Sequence, residues 1–425
     1  MDDLEPSAAA SSLELVGWRD PAVLTAAAFA AAAGFAQFGV TATLGDVAAA
    51  FGQDVPGGGV AAQVGMTATT LGTGLAVIRL AGLASMPVSS LADRFGRRRL
   101  MLGCTLAGLA ITAAASQVTV FWAFVVVLAA ARPLLTGANA LAGVIAAEQT
   151  ASRSRAAALA LVGAAYSLGT GAISVLRGVA GETLGFRGVF ALALVPLLLL
   201  SVLARHARET PRFHATPMTE RRRLGAIPRH HLPRLLLVAL LTAAVGLVIG
   251  PVFTYLFVYG ERILGASAGQ MAILVLVAGP TGLAGLLAGR LAADRAGRRG
   301  TATVAMILLG AGGIIAYSDG QAQLALGYLL AVFAAAAVIP SGGALDSEIF
   351  PTSIRATAAG WVAAAAVAGS VTGLAVFGIL TDATGTFRAA AITVSLPAIL
   401  LAGAYFWLPE TRGMELEQSA PEPDR

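Results

Sequence analysis

Twelve stretches of this chain are apolar for long enough to cross a lipid bilayer, and that fact restricts the fold more than any other. They fall at 22–45, 63–89, 100–116, 119–147, 156–176, 187–204, 235–259, 269–293, 300–317, 323–345, 356–380 and 388–408. A helix needs about 20 such residues to span the hydrocarbon core. Lipid offers the backbone no hydrogen-bond partner, so the spans must be helical; a closed barrel would alternate polar and apolar residues, and these runs do not. Charged residues make up 12% of the chain, against about 25% in a soluble domain, so the chain is read as an integral membrane protein.

The charges that remain lie between the runs. Lysine is absent, so all 28 basic residues are arginine, which with the abundant alanine suggests a GC-rich bacterial genome. Arg19, Arg94, Arg97, Arg98, Arg99, Arg153, Arg155, Arg290, Arg295, Arg298, Arg299, Arg355 and those of 205–234 fall on one face of a twelve-span topology, whereas Arg177, Arg187, Arg262 and Arg388 fall on the other. Basic residues collect on the cytoplasmic side, which predicts a multi-pass protein of the cell inner (plasma) membrane with both termini in the cytoplasm. The start is acidic, unlike the basic start of a signal peptide, so no cleavage is expected. The net charge of +5 comes from loop arginines and implies no nucleic acid. Cys104 sits within an apolar run and has no possible disulfide partner.

The punctuation repeats. "DRFGRR" at 93–98 returns as "DRAGRR" at 294–299; Glu148 and Arg155 return as Glu348 and Arg355; "FR" at 186–187 returns at 387–388 and "ET" at 209–210 at 410–411. One offset of 200–201 residues covers all four. The expected fold is therefore all-α, with twelve transmembrane helices forming two pseudo-symmetric six-helix bundles, 1–204 and 235–408. A cytoplasmic linker, 205–234, joins them, and 409–425 forms a cytoplasmic tail. Two such halves about an axis along the membrane normal place a substrate near the midplane between them. All four histidines, His206, His214, His230 and His231, lie in the linker; a solvated linker explains them better than a metal site, and neither metal nor cofactor is expected.

These motifs resemble the major facilitator superfamily over essentially the whole chain. "SSLADRFGRRR" is similar to its signature loop between helices two and three, with Ser89 where a glycine usually stands, and "GRLAADRAGRR" is the counterpart between helices eight and nine. "ETPRF" (209–213), "SEIFPTSIRATAAG" (347–360) and "LPETRGMELE" (408–417) resemble the sugar porter branch and the related organic-acid and metabolite proton symporters. The resemblance implies transport by alternating access. It also implies a cytoplasmic gate of Asp93, Arg97, Glu148, Arg155, Asp294, Arg298, Glu348 and Arg355, latching the halves when the site opens outward; fixing topology alone is the other reading. Arg155 and Arg355 are each placed to reach the acid seven residues earlier or a helix end in the other half.

Charges inside spans are costly and usually functional. Arg79 lies ten residues before Ser89, about 15 Å along a helix, near the membrane middle, and Arg132 falls at the centre of the fourth run beside Pro133. No acid sits at their depth in these two helices. Both are candidate substrate-binding cations for a carboxylate or phosphate; the opposing reading is a structural bond to carbonyls or to an acid in another span. The other substrate-site candidates are Gln37, Asn139, Tyr166, Tyr255 and Tyr259. Asp46 and Asp346 are the proton-coupling candidates, and each also reads as a helix-end residue. Neutral sugar is disfavoured because "LLLVALLTAAVGLVIGPVF" carries no glutamine in the seventh run. Drug–proton antiport is disfavoured too, since Gly163, Gly169 and Gly171 lack that class's Gly-Pro signature and read instead as packing positions.

The function expected is secondary active transport of a small organic anion with proton coupling. The alternative is efflux of amphipathic drugs or metabolites. An intramembrane enzyme would need paired acids or a histidine with a nucleophile within the spans, and none is present. The expected partners are a small-molecule substrate, protons and the bilayer, and the chain is expected to act as a monomer.

Overall fold

The computed structural model describes residues 17–52, 60–150, 152–207, 209 and 228–412. Twelve helices in it are long and apolar enough to cross a membrane: α1 (Pro21–Ala42), α2 (Ala68–Val88), α3 (Arg97–Gln117), α4 (Phe121–Gln149), α5 (Ala157–Ala180), α6 (Thr183–His206), α7 (Arg229–Ile263), α8 (Ala268–Ala296), α9 (Arg298–Ala316), α10 (Gln321–Gly343), α11 (Thr357–Thr384) and α12 (Phe387–Trp407). There is no strand among the described residues. Large apolar side chains such as Leu198, Leu199, Leu236, Leu276 and Leu400 are exposed on the helices, as a lipid-facing surface requires.

By its internal contacts the chain separates into two units, one of Met1–Gly39, Ala81–Leu176 and Glu182–Arg221, the other of Val40–Leu80, Arg177–Gly181 and Arg222–Arg425. One break, between Arg221 and Arg222, falls within the stretch 205–234. Two segments that precede the linker nevertheless group with the chain that follows it, because they pack on its helices.

The first unit has a core of Phe29 from α1, Met101 and Leu109 from α3, Leu135 and Ile145 from α4, Val162 from α5 and Leu200 from α6. Helices α1 and α5 touch backbone to backbone. A Cβ on Gly169 would lie 1.9 Å from the Ala31 carbonyl oxygen, and one on Gly34 would lie 2.2 Å from that of Tyr166. Small residues allow such an approach where lipid gives no hydrophobic drive to association. Of the three glycines expected to permit packing, Gly169 does so; Gly163 and Gly171 face open space.

In the second unit α7 packs along α11, and α10 lies against both α8 and α9. The segment before the linker joins through α2, whose Gly72 would meet the Leu374 carbonyl at 2.5 Å if it carried a Cβ; Gly378 of α11 would likewise meet the Ala68 carbonyl at 2.5 Å. Helix α7 ends in a π-turn, Tyr259–Ile263, in which the Leu264 N–H donates to the Tyr259 carbonyl at 3.0 Å. That turn extends the seventh span past its expected end at 259 and carries Glu261 and Arg262 with it.

Candidate functional site

Helix α4 places Arg132, Thr136 and Asn139 three and four residues apart, which aligns them on one face. Thr136 donates its hydroxyl to Gln37 Oε1 of α1 at 3.2 Å, and Tyr166 lies on α5, its carbonyl oxygen 2.2 Å from where a Cβ on Gly34 of α1 would stand. Four expected site residues, Gln37, Arg132, Asn139 and Tyr166, therefore belong to one contact unit. Gly82 lies against the Arg132 side chain, where a Cβ would sit at an ordinary contact distance of 3.7 Å from Arg132 Cγ. The guanidinium itself makes no hydrogen bond or ion pair among the described residues, and the Asn139 Oδ1 is buried with no partner among them.

Arg79 is placed differently. Its Nη1 donates to Ser370 Oγ at 2.6 Å and its Nη2 to Thr254 Oγ1 at 2.9 Å, so hydroxyls from α7 and α11 hold it. Thr254 and Ser370 were not legible as its partners, since each reads as one of many small polar residues in an apolar helix. Tyr255 and Tyr259 do not face open space either; they are 0% and 1% exposed. Tyr255 donates to the Ala68 carbonyl at 2.7 Å and stacks on Phe377 at 4.9 Å between centroids. Tyr259 pairs with Asp319 at 3.1 Å and lies 4.8 Å from the Tyr317 ring. With Phe387 they form a buried aromatic cluster.

At the end of the second unit that carries this cluster lies an ionic group. Arg177, the most buried of its members, sits between two carboxylates. Its Nε and Nη2 donate to Asp46 Oδ2 at 3.0 and 2.9 Å, and its Nη1 and Nη2 donate to the two oxygens of Glu261. Arg262 donates to the Gly45 carbonyl at 3.0 Å and stands 3.7 Å from Asp46. Asp46 thus holds two arginines in this structure. Nearby, Asp382 accepts the backbone N–H of Ala68 at 2.9 Å and of Thr69 at 2.8 Å, capping the start of α2.

The arginine-rich ends are built alike in the two units. In the first, Gly96 adopts φ +96°, a conformation glycine reaches without strain. The helix after it begins with Arg97 and Arg98, whose N–H groups donate to Glu209 at 3.1 and 3.2 Å, while the Arg97 side chain pairs with Glu148 at 3.0 Å. In the second, Gly297 has φ +99°. The N–H groups of Arg298 and Arg299 donate to Glu410 at 3.0 and 3.3 Å, and the Arg298 side chain pairs with Glu348 at 2.8 Å. Burial alone would raise the Glu410 carboxyl, but the N–H groups of Arg298, Arg299 and Arg412 and the Arg299 charge outweigh it and hold the carboxyl below its ordinary range.

Some expected pairings take another form. Arg355 does not reach Glu348; its Nε donates to the Phe350 carbonyl at 3.2 Å, because Glu348 is already taken by Arg298 and by the Thr411 hydroxyl. Asp294 is exposed and 3.8 Å from Arg290. The side chains of Asp93, Arg155 and Asp346 lie outside the described residues, as do most of the linker and the tail. An apolar groove of about 540 Å³ in the first unit, lined by Phe35, Leu168, Leu176, Pro196 and Leu199 among others, contains none of the expected site residues.

The sequence model of the Major Facilitator Superfamily matches residues 24–317 and 263–423, almost the whole chain. The chain belongs to the Major Facilitator Superfamily. Its architecture is similar to that of a D-xylose–proton symporter, with a TM-score of 0.75 at 20% identity over 92% of this chain and 98% of that one. It is also similar to the xylose transporter XylE from E. coli in an inward-open conformation (TM-score 0.72, 18% identity, 93% and 98% covered). A third likeness is to the human organic anion transporter MFSD10 (TM-score 0.64, 17% identity, 91% and 99% covered). No curated protein sequence matches the chain. At these identities the structures show the fold alone.

Proposed function

We propose that this superfamily member moves a small organic anion across the membrane, with proton coupling, by alternating access to a site built around Arg132. The observation that carries the reading is a guanidinium about 17 Å along a membrane-spanning helix, at 1.5 Å per residue, with no bonded or ionic partner among the described residues. A cation at that depth costs several kcal/mol unless something neutralises it; a substrate carboxylate or phosphate supplies that charge and a bidentate geometry. Asn139, two turns further along the helix, offers an acceptor for a donor group on the same solute. Arg79 is already bonded to Ser370 and Thr254, so it is the weaker candidate for the substrate anion.

In this reading the halves at 1–204 and 235–408 rock against each other with both termini cytoplasmic. The pairs Arg97–Glu148 and Arg298–Glu348 support a cytoplasmic latch, to which the resemblance adds Asp93, Arg155, Asp294 and Arg355. Proton coupling falls to carboxylates that change partners, with Asp46 and Asp346 the candidates.

Uptake of radiolabelled mono- and dicarboxylates into proteoliposomes, with and without an inward proton gradient, tests this. Losing a charged hydrogen bond is worth about 1.5–3 kcal/mol, so Arg132→Gln is expected to weaken the apparent affinity by roughly 10- to 150-fold, with partial recovery in Arg132→Lys. Unchanged uptake of every active anion by Arg132→Gln would refute the reading.

A further inference from the structure

Alternating access requires a contact that holds one end shut and lets go when that end opens. The end of the second unit opposite its arginine-rich turn carries such a contact. Asp46 and Arg177 precede the linker, whereas Glu261 and Arg262 follow it, and the four form one cluster of balanced charge. The arginine side chain at its centre is 4% exposed. Its bond to Asp46 lies within the first half of the chain; its bond to Glu261 is the short ion pair that ties the first half to the second.

We propose that Glu261 is the proton-sensitive residue of this gate, holding the end shut while ionised and releasing Arg177 when it takes a proton from the outer solution. The inference rests on the alternating-access reading above and adds a residue that reading does not use. Glu261 receives Nη1 and Nη2 of Arg177 on its two oxygens, so protonation removes the ion pair and leaves only the carbonyl oxygen as a strong acceptor for one of the two donors. Asp46 is the weaker candidate for the same role, since two arginines stand against it and its side chain is 29% exposed, compared with 11% for Glu261. The charged groups acting on Glu261 are Arg177 from α5, Asp46 from the short helix Leu44–Phe51 and Arg262 from its own turn. The helix Val60–Val64 and the first turn of α8, which also pack on that turn, add no charge. Among the described residues, protonation of Glu261 leaves Arg262 at 3.7 Å from Asp46 and the backbone hydrogen bonds of Ala68 and Thr69 to Asp382.

The position of Glu261 in a π-turn fits the role. That irregular turn pushes its side chain out of helical register and toward Arg177, a placement frequent at functional sites.

Spin-label distance measurements test the gate without any substrate. In a Cys104→Ser background, labels at Gln63→Cys and Ala322→Cys report the separation of the two halves at this end; both parent side chains are exposed. The protein with native Glu261 is expected to show a short distance at pH 7.5 and a growing long-distance population toward pH 5.5. Glu261→Gln is expected to raise the ratio of long to short populations at pH 7.5 by at least about tenfold, the scale of a lost charged hydrogen bond, and to flatten its pH dependence. Glu261→Asp is expected to retain that dependence. No acid shift with native Glu261, which needs no variant at this position, overturns the proposal; so does an acid shift that survives intact in Glu261→Gln. Anion uptake is a separate readout, so failure here leaves the Arg132 site standing, and failure of Arg132→Gln to affect uptake leaves the gate standing.

Discussion

Removing the carboxylate of Glu410 tests how the arginine-rich end of the second unit is held. Its oxygens accept the N–H groups of Arg298, Arg299 and Arg412 at 3.0, 3.3 and 3.1 Å, and one stands 3.5 Å from the Arg299 guanidinium. The first two amides open α9 and have no partner within the helix. Glu410→Gln keeps an acceptor but loses the negative charge at a helix N-terminus, worth about 0.3–1 kcal/mol on an accessible site. Glu410→Ala also strips the amides of their acceptor, and a lost cap costs about 0.5–2 kcal/mol. For a unit of this size each kcal/mol moves the melting point by roughly 2–4 °C. The alanine variant should therefore melt about 4–8 °C below the wild type and the glutamine variant about half as far, measured by intrinsic fluorescence in detergent. The pH dependence has a fixed sign. A carboxyl held below its ordinary value stabilises fully above the unfolded value of 4.5 and loses that contribution as pH falls through the lowered folded value. The gap between wild type and Glu410→Gln should thus be constant from pH 7 to pH 5.5 and close under stronger acid. An alanine variant that melts with the wild type would refute the idea that this carboxylate holds the helix.

Two further outcomes follow from packing and from a single hydroxyl. Gly169→Val should abolish recovery of monodisperse protein, because its Cβ would overlap the Ala31 carbonyl at 1.9 Å, while Gly171→Ala, which faces open space, should express normally; size-exclusion profiles decide it. Tyr255→Phe leaves the buried Ala68 carbonyl without its 2.7 Å donor and should lower stability by about 1–2 kcal/mol, read as a fall in melting point without a change in apparent substrate affinity.

The spans were legible because length and apolarity alone decide them in lipid, and the duplication was legible because its charged turns stand out against an apolar background. Pairing was harder to read. Glu348 and Arg355 share a motif, yet Glu348 bonds Arg298 fifty residues away, since the positive-φ glycine before Arg298 turns that side chain inward. Glu209 and Glu410 were visible as a repeated "ET", but their work as helix caps depends on contacts more than a hundred residues apart. Arg177 served the sequence only as a topology marker, and Glu261, two residues past the expected end of the seventh span, drew no reading at all. The π-turn that carries Glu261 to Arg177 leaves no pattern in the residues themselves. Tyr255 and Tyr259 kept the spacing of a wall-lining pair, while the cluster that buries them is assembled from α7, α9, α11 and α12.

The Asp382 cap has a consequence for solvent. Ala68 and Thr69 give their N–H groups to that carboxylate, and the Ala68 oxygen takes the Tyr255 hydroxyl. Any movement that draws α11 and α7 away from α2 breaks three hydrogen bonds at once, and hydrocarbon can satisfy none of the groups set free. Separation at this end must therefore be accompanied by hydration down to the first turn of α2, so osmotic stress or a lipid that seals this mouth should slow the movement even where every charged residue is intact.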